Sequence, residues 1–206
     1  MKTQRAIDPR DLAKVAVFAA LIAVLGLPGA IPVFGGAVPI TAQTLGVMLS
    51  GAILGPWLGA LSVIVFEVLV ALGLPLLSGG RGGVSVFVGP SAGYLFGWIA
   101  GSFVIGLILW AGGKKPTWLR AFIACLVGGI GVIYAIGIPV QAWVTHIPIP
   151  QTALLSLAFI PGDILKAVLA ATITMLLWRA YPPAFTAYAT RHAARAKKPD
   201  DLVDAG

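Results

Sequence analysis

Apolar residues are gathered into long runs, separated by short polar or glycine-rich segments. A membrane-spanning helix needs about twenty mostly apolar residues, and runs near that length predict an all-α bundle of six transmembrane helices. The first run follows several cations, as a secretory signal would, but no convincing cleavage site follows it, so we expect it to be retained. The predicted spans are residues 12–28, 42–56, 57–77, 91–111, 117–140 and 153–178.

The composition is that of an integral membrane protein. Hydrophobic residues make up 59% of the chain and charged residues 10%, with a mean hydropathy of +0.98, whereas soluble domains are about one-quarter charged. The net charge of +7 does not indicate nucleic-acid binding, because the cations lie in short clusters beside apolar runs. Cys125 is the single cysteine, and His146 and His192 lie in different segments, so we expect no intrachain disulfide and no metal site.

The cations fall almost entirely on one predicted side of the membrane. Six spans place both termini on the same side, together with all but two of the 14 lysines and arginines. Because positive charge is concentrated in cytoplasmic segments, we expect a multi-pass plasma-membrane protein with both termini in the cytoplasm, in contact with membrane lipids. The two exceptions are Arg81 and Lys166. Charge beside lipid is costly and usually has a partner or a task, so these two are candidate functional residues.

The predicted outer connections, residues 29–41, 78–90 and 141–152, include two that are rich in glycine and proline. Glycine permits positive φ values and close backbone approach, and proline fixes chain direction. Such loops can be plain connectors, but their apolar neighbours, Val86 and Phe87 among them, favour loops packed over the bundle. We therefore expect an outward-facing ligand pocket beneath the glycine-rich loops.

The sixth span contains Pro161-Gly162-Asp163-Ile164-Leu165-Lys166. An early aspartate suits the positive end of a helix dipole, which explains Asp163 as a structural feature but leaves Lys166 unexplained. Residues three apart share a helix face, so both charges point the same way. Two interpretations stay open: a closed salt bridge inside the bundle, or a water-accessible pocket whose ligand uses both groups.

Three further polar residues are candidates with alternatives of their own. Glu67 lies in the third span and has two interpretations. It is either a counter-ion for one of the two cations, Lys166 or Arg81, or it is a protonated group that faces another subunit. Thr41 and Gln43 lie near the outer start of a helix, where they are either ligand-binding groups or N-terminal caps.

Six ordered motifs occur along the chain: Val38-Pro39-Ile40-Thr41-Ala42-Gln43-Thr44-Leu45-Gly46, Leu54-Gly55-Pro56, Gly73-Leu74-Pro75, Gly79-Gly80-Arg81-Gly82-Gly83, Gly89-Pro90-Ser91-Ala92-Gly93-Tyr94 and Pro161-Gly162-Asp163-Ile164-Leu165-Lys166. These motifs resemble the BioY family, the biotin-binding S-components of energy-coupling factor (ECF) vitamin transporters. Taken together over residues 12–178 they are specific, although each alone is weak. Two positions depart from the family pattern: Trp57 replaces a frequent basic residue, and Glu67 a frequent apolar one.

The resemblance implies high-affinity capture of biotin and its transmembrane uptake. Asp163 and Lys166 match the family's sixth-helix motif, and Arg81 and Tyr94 lie in the glycine-loop region that also contributes to the pocket. Biotin has ureido N–H donors and a carboxylate tail, so a carboxylate and a cation suit it. Whether Lys166 or Arg81 meets the tail stays open at this point.

No phosphate-binding loop of the P-loop type occurs in the sequence, so energy must come from partners. The resemblance implies an ECF transmembrane coupling protein and ATP-binding subunits. Ala16 and Ala20, four apart in the first span, are small residues that let another helix approach closely, although the same spacing is common in packing within one chain. Biotin is the cargo, and no cofactor is expected.

Two other classes of function were weighed. An S-component for another vitamin, thiamine or riboflavin, would share the architecture, and a biotin transporter that works without the ATPase module, alone or as a homo-oligomer, stays open. An enzyme is not expected, because no nucleophile has an evident base.

We expect residues 1–181 to form the membrane domain and residues 182–206 a disordered polar cytoplasmic tail.

Overall fold

The computed structural model describes residues 8–27, 41–111 and 115–185. Two of its helical segments contain a turn of another helix type: Trp118–Leu126 passes through a π-helical turn, Val127–Val132, into Ile133–Thr145, and Ile149–Ser156 passes through a 3-10 turn, Leu157–Phe159, into Ile160–Ala180. The described residues therefore form six main helical segments, and the all-α prediction is confirmed. The helices are α1 (Pro9–Val24), α2 (Gln43–Leu54), α3 (Pro56–Ala71), α4 (Ala92–Trp110), α5 (Trp118–Leu126), α6 (Ile133–Thr145), α7 (Ile149–Ser156) and α8 (Ile160–Ala180).

Each helical segment coincides with one predicted span, but several ends differ. Three segments, Ala92–Trp110, Trp118–Thr145 and Ile149–Ala180, are long and apolar enough to cross a membrane, whereas α2 and α3 are shorter apolar helices. The third span was predicted to reach residue 77, but α3 ends at Ala71 because Gly73 has a φ of 99° and the chain turns there.

Glycine sets the joint between α2 and α3. Gly55 has a φ of 86°, a value that side chains with a Cβ rarely adopt. Pro56 follows at the first helical position, where its missing N–H is no loss. The two helices are thus joined by a single residue, Gly55.

Helix α4 is the central helix and packs against α2, α3, α5 and α6. Its face toward α6 is lined with glycine: a Cβ at Gly97 would lie 3.0 Å from the Ile133 carbonyl oxygen, and one at Gly101 would lie 2.6 Å from the Gly128 carbonyl oxygen. Small residues at this spacing let helices pack backbone to backbone in a membrane.

An aromatic cluster closes the end of the bundle where α4 and α8 end. The Phe185 ring is fully buried and lies 5.7 Å from the Trp110 ring and 5.1 Å from the Trp178 ring, centroid to centroid. Pro182–Ala184 forms a 3-10 turn, and the Pro183 carbonyl accepts a hydrogen bond from Lys14. Phe185 thus packs residues 182–185, which lie beyond the predicted boundary at residue 181, against the bundle; residues 186–206 lie outside the described part of the chain.

The two ends of the bundle differ in charge. Arg10, Lys14, Lys115, Arg120 and Arg179 lie where α1 and α5 start and where α4 and α8 end, which we call the cationic end. At the opposite end, the loop end, α2, α4 and α8 start, and residues 72–91 form a long connection. Most of the first predicted outer loop, residues 29–40, lies outside the described residues.

Candidate functional site

A cavity of about 40 Å³ lies at the loop end, between the starts of α2 and α4 and the turn at residues 77–81. It has room for a few water molecules, so a larger ligand requires the cavity to widen. Its wall combines polar groups with an apolar floor, as small-molecule sites commonly do. The lining residues are Thr41, Gln43, Leu77, Arg81, Ser91, Tyr94, Leu95 and Trp98.

Gln43 ties three segments together beside this cavity. Its side-chain nitrogen donates to the carbonyl oxygens of Ile22 at 3.3 Å and Leu76 at 3.1 Å, and its oxygen accepts from the backbone N–H of Ser78 at 3.1 Å. Only 1% of the residue is exposed. Gln43 is therefore neither an N-terminal cap nor a free polar group: its side chain links α1 to the connection that carries Arg81.

Arg81 closes a tight turn that points into the cavity. The backbone N–H of Leu77 donates to the Arg81 carbonyl at 3.0 Å, and that of Arg81 donates to the Leu77 carbonyl at 3.2 Å. The guanidinium donates through Nε to the Ser78 carbonyl at 3.4 Å. Among the described residues this is its one hydrogen bond, and it has no acidic partner, so its outer nitrogens remain available to an anion.

Tyr94 forms the side of the cavity toward α6 and α7. Its hydroxyl donates to the side-chain oxygen of Gln141 at 2.8 Å and lies 3.1 Å from the Ser156 hydroxyl. The ring is buried and packs edge-on against Tyr134, with 6.1 Å between centroids. These contacts with α6 and α7 fix the orientation of Tyr94.

Behind the tyrosines lies the Asp163–Lys166 ion pair. The Lys166 ammonium is 2.9 Å from an Asp163 oxygen and also donates to the Thr44 hydroxyl at 3.0 Å. The other Asp163 oxygen accepts from the Tyr134 hydroxyl at 2.6 Å. The side chains are 7% (Asp163) and 13% (Lys166) exposed, so a buried carboxylate is satisfied by a cation and a hydroxyl, as burial of charge requires.

The structure thus divides the predicted ligand-binding residues into two groups. Thr41, Gln43, Arg81 and Tyr94 line one cavity. Asp163 and Lys166 form the closed pair that sequence reasoning left as one alternative, and the Tyr94–Tyr134 contact connects the pair to the cavity.

Sequence reasoning missed several residues of this region. Tyr134, Gln141 and Ser156 complete the network around Tyr94 and Asp163, and Trp98 and Ser91 line the cavity. A signal existed for Gln141: an amide inside an apolar span needs a partner. Tyr134 gave no such signal, because tyrosine is common in apolar segments.

Glu67 lies outside both groups. It is 5% exposed on the buried face of α3, and one of its carboxyl oxygens has no hydrogen-bond partner among the described residues. Lys166 is occupied by Asp163, and no ion pair joins Glu67 to Arg81 in the described part of the chain. The counter-ion interpretation therefore finds no support in this structure.

The two predicted docking residues lie on the outer surface of α1. Ala16 and Ala20 are exposed, as is Val17 between them, whereas Ala19 is buried in the bundle. The exposed small residues of α1 therefore include Ala13 as well as Ala16 and Ala20, but not Ala19.

No cluster of three or more potential metal-ligating side chains occurs among the described residues. The fold and the site together define a multi-pass helical membrane protein with a small, partly polar cavity at one end of the bundle. This class includes membrane proteins that bind a solute between helices and loops.

Comparison with known proteins identifies the family within this class of membrane proteins. The model of the BioY family matches residues 1–183. A biotin transporter BioY from Rhodobacter capsulatus is 42% identical over 194 residues, covering 86% of this chain and 98% of that protein. A probable biotin transporter BioY from Bacillus subtilis is 48% identical over 170 residues, covering 82% and 91%.

A solved structure agrees with the sequence comparisons. The crystal structure of the S-component for biotin from an ECF-type ABC transporter aligns with a TM-score of 0.78 and 35% identity, covering 82% of this chain and 91% of that one. The chain belongs to the BioY family. The resemblance drawn from its motifs is confirmed, and so is the prediction that it is not an enzyme, since these relatives are transporters.

Proposed function

We propose that this BioY-family protein captures biotin and carries it across the membrane as the substrate-binding S-component of an ECF-type transporter. The observation that carries the proposal is the cavity at the loop end, lined by Arg81 and Tyr94, in a chain that aligns over most of its length with an S-component for biotin. In this proposal biotin is the transported substrate, so the protein needs groups that bind it and a path across the membrane, and it needs no resident cofactor.

The free cation of the cavity is the better partner for the biotin carboxylate. Lys166 already contacts Asp163 and Thr44, whereas the outer guanidinium nitrogens of Arg81 have no partner among the described residues. Arginine binds carboxylates through two parallel hydrogen bonds. We therefore assign the biotin tail to Arg81 and the apolar thiophane ring to the region of Trp98 and Tyr94.

The ureido group is assigned to the buried pair. Each carboxylate oxygen can accept more than one hydrogen bond, so Asp163 can accept from a ureido N–H while keeping its contact with Lys166. For the ligand to reach it, the Tyr94–Tyr134 contact, 6.1 Å between ring centroids, must open. The small size of the cavity, which has room for only a few water molecules, supports the same requirement.

Equilibrium binding of labelled biotin to detergent-purified protein tests the proposal. Competition by excess unlabelled biotin, thiamine and riboflavin separates the biotin function from that of an S-component for another vitamin. We expect only biotin to compete. Displacement by thiamine or riboflavin, or the absence of saturable biotin binding, would contradict the proposal.

The cavity is assigned to the outer side of the membrane and both termini to the cytoplasm. This orientation is supported by the separation between the loop end and the cationic end, where Lys14, Arg120 and Arg179 lie, because cytoplasmic segments are enriched in cations. Val88→Cys and Lys115→Cys, both at exposed positions, test it in intact cells with an impermeant maleimide. We expect labelling at position 88 only; labelling at position 115 would reverse the orientation.

The work of transport is assigned to an ECF transmembrane coupling protein with ATP-binding subunits, docked on the exposed Ala16 and Ala20 face of α1. Small residues allow a partner helix to approach closely, so Ala16→Trp with Ala20→Trp should abolish co-purification and spare biotin binding. Leu107→Trp, at an exposed position of α4, is the matched control on another helix. Uptake that persists without ATP-binding subunits would favour the solitary or self-associating alternative.

A further inference from the structure

The side-chain amide of Gln43 has no free donor for a ligand, although it borders the cavity. Both N–H groups are used by the Ile22 and Leu76 carbonyl oxygens, and its oxygen accepts from the Ser78 backbone N–H. The direction of the amide is fixed by these partners, since two carbonyls require donors and an N–H requires an acceptor. Gln43 therefore acts by holding chain segments together and not by binding a ligand with its amide.

Those segments lead directly to Arg81. Ser78 donates its backbone N–H to Gln43 and offers its carbonyl to the Arg81 Nε at 3.4 Å. The turn is closed by the paired backbone hydrogen bonds between Leu77 and Arg81. The position of the guanidinium thus depends on one residue, Ser78, that Gln43 holds from the other side.

The fit around this amide is tight. A Cβ added at Gly26 would lie 2.8 Å from the Leu76 carbonyl oxygen and 2.9 Å from the Gln43 side-chain nitrogen. A methyl group there must therefore displace the amide or the connection.

We propose that Gln43 is a positioning residue that holds the 77–81 turn so that Arg81 faces the cavity and selects ligands with an anionic tail. The inference rests on the proposed function, in which Arg81 meets the biotin carboxylate. It differs from a direct role of Gln43 in ligand binding, which would affect ligands with and without a charged tail alike.

The test compares biotin with biotin methyl ester, which keeps the rings and loses the negative charge. Gln43→Met removes the hydrogen bonds at similar length, and Arg81→Met removes the cation. Ser78→Ala is the matched control, because it removes a hydroxyl without a partner and keeps the backbone groups of the relay. Dissociation constants are measured for purified, monodisperse protein.

We expect Gln43→Met to weaken the binding of biotin at least tenfold and the binding of the methyl ester less than threefold. We expect the same pattern for Arg81→Met. The double variant should lose little more than Arg81→Met alone, because the residues act in one chain of contacts. Ser78→Ala should keep the wild-type preference for biotin. Equal weakening of both ligands by Gln43→Met, or unchanged biotin affinity, would overturn the proposal.

Two further measurements keep the test decisive. If Gln43→Met does not yield folded protein, Gly26→Ala perturbs the same contact and should lower the preference for biotin in the same direction; an unchanged preference would overturn the proposal. Hydrogen exchange on the ligand-free protein should show a faster-exchanging Ser78 amide in Gln43→Met than in Arg81→Met. The proposed function fails separately, if the wild-type protein does not bind biotin.

Discussion

Removing one charge of the Asp163–Lys166 pair should destabilise the protein strongly, whereas removing both should not. The two charged atoms are 2.9 Å apart, and both side chains are largely buried. At an effective dielectric constant of 20 the attraction is about 6 kcal/mol. Breaking one partner of such a pair typically costs about 3–5 kcal/mol, because the other charge stays buried and uncompensated.

Three variants test this reasoning. Lys166→Met keeps the chain length without the charge, and Asp163→Asn keeps an oxygen that can accept from Tyr134. We expect each single variant to lose about 3–5 kcal/mol, seen as a clear fall in the thermal unfolding midpoint in detergent. The double variant, in which no charge is left unpaired, should stay within about 1 kcal/mol of the wild type. A double variant as unstable as the worse single variant would refute the electrostatic account.

Biotin binding separates the structural role of the pair from its role in the site. The single variants should weaken binding more than tenfold, and the double variant should recover stability without recovering affinity. Wild-type affinity in a stable double variant would exclude both residues from binding and would leave the pair a purely structural feature of α8.

Three other predictions concern stability and use the same unfolding assay. Gly106→Ala should be strongly destabilising, because its methyl group would overlap the backbone where α3 starts. The control is Gly131→Ala: its methyl group would meet the nearest neighbouring atom at 3.8 Å, so this substitution should be neutral or stabilising by up to about 1 kcal/mol. Similar effects at both positions would contradict this packing. Phe185→Ala should lower the free energy of unfolding by about 3–5 kcal/mol, whereas Tyr181→Ala, at an exposed position, should lower it little. Unchanged stability of the Phe185 variant would mean that the aromatic cluster does not anchor the chain. Glu67→Met should raise the unfolding midpoint, because it removes a buried carboxyl oxygen without a partner; a loss of biotin affinity would instead assign Glu67 to the site.

The helical segments were predictable because apolar run length alone identifies a span. Their ends were less so. Pro139 stands inside α6, yet the helix continues to Thr145; a single proline removes one hydrogen bond, and in a membrane neighbouring groups can compensate for the loss. The π-helical turn at Val127–Val132 was not predicted either, because it depends on the close approach of Gly128 to α4, and hydropathy does not report such contacts.

In the site, contacts within one helix were predictable and contacts between segments were not. The spacing of Asp163 and Lys166 along a helix was sufficient to predict a shared face. The partner of Asp163 on the other side, Tyr134, is 29 residues away, and the contacts of Gln43 span 21 to 35 residues. Only the packing of α1, α2 and α6 brings these groups together, so a sequence pattern could name Gln43 as polar and buried without revealing what it holds.

The same distinction explains why Arg81 and Lys166 were equivalent in the sequence and differ in the structure. Lys166 has an acidic residue one helical turn away, and the neutral pair can remain buried inside the bundle. Arg81 has a single carbonyl contact among the described residues, and a guanidinium with so few partners is tolerated only where water or an anion can reach it. Its place in the wall of the cavity at the loop end meets that condition. The cation without a counter-ion is therefore the one that we propose for the carboxylate of the ligand, and on this proposal a substrate whose tail is neutral should gain little from Arg81.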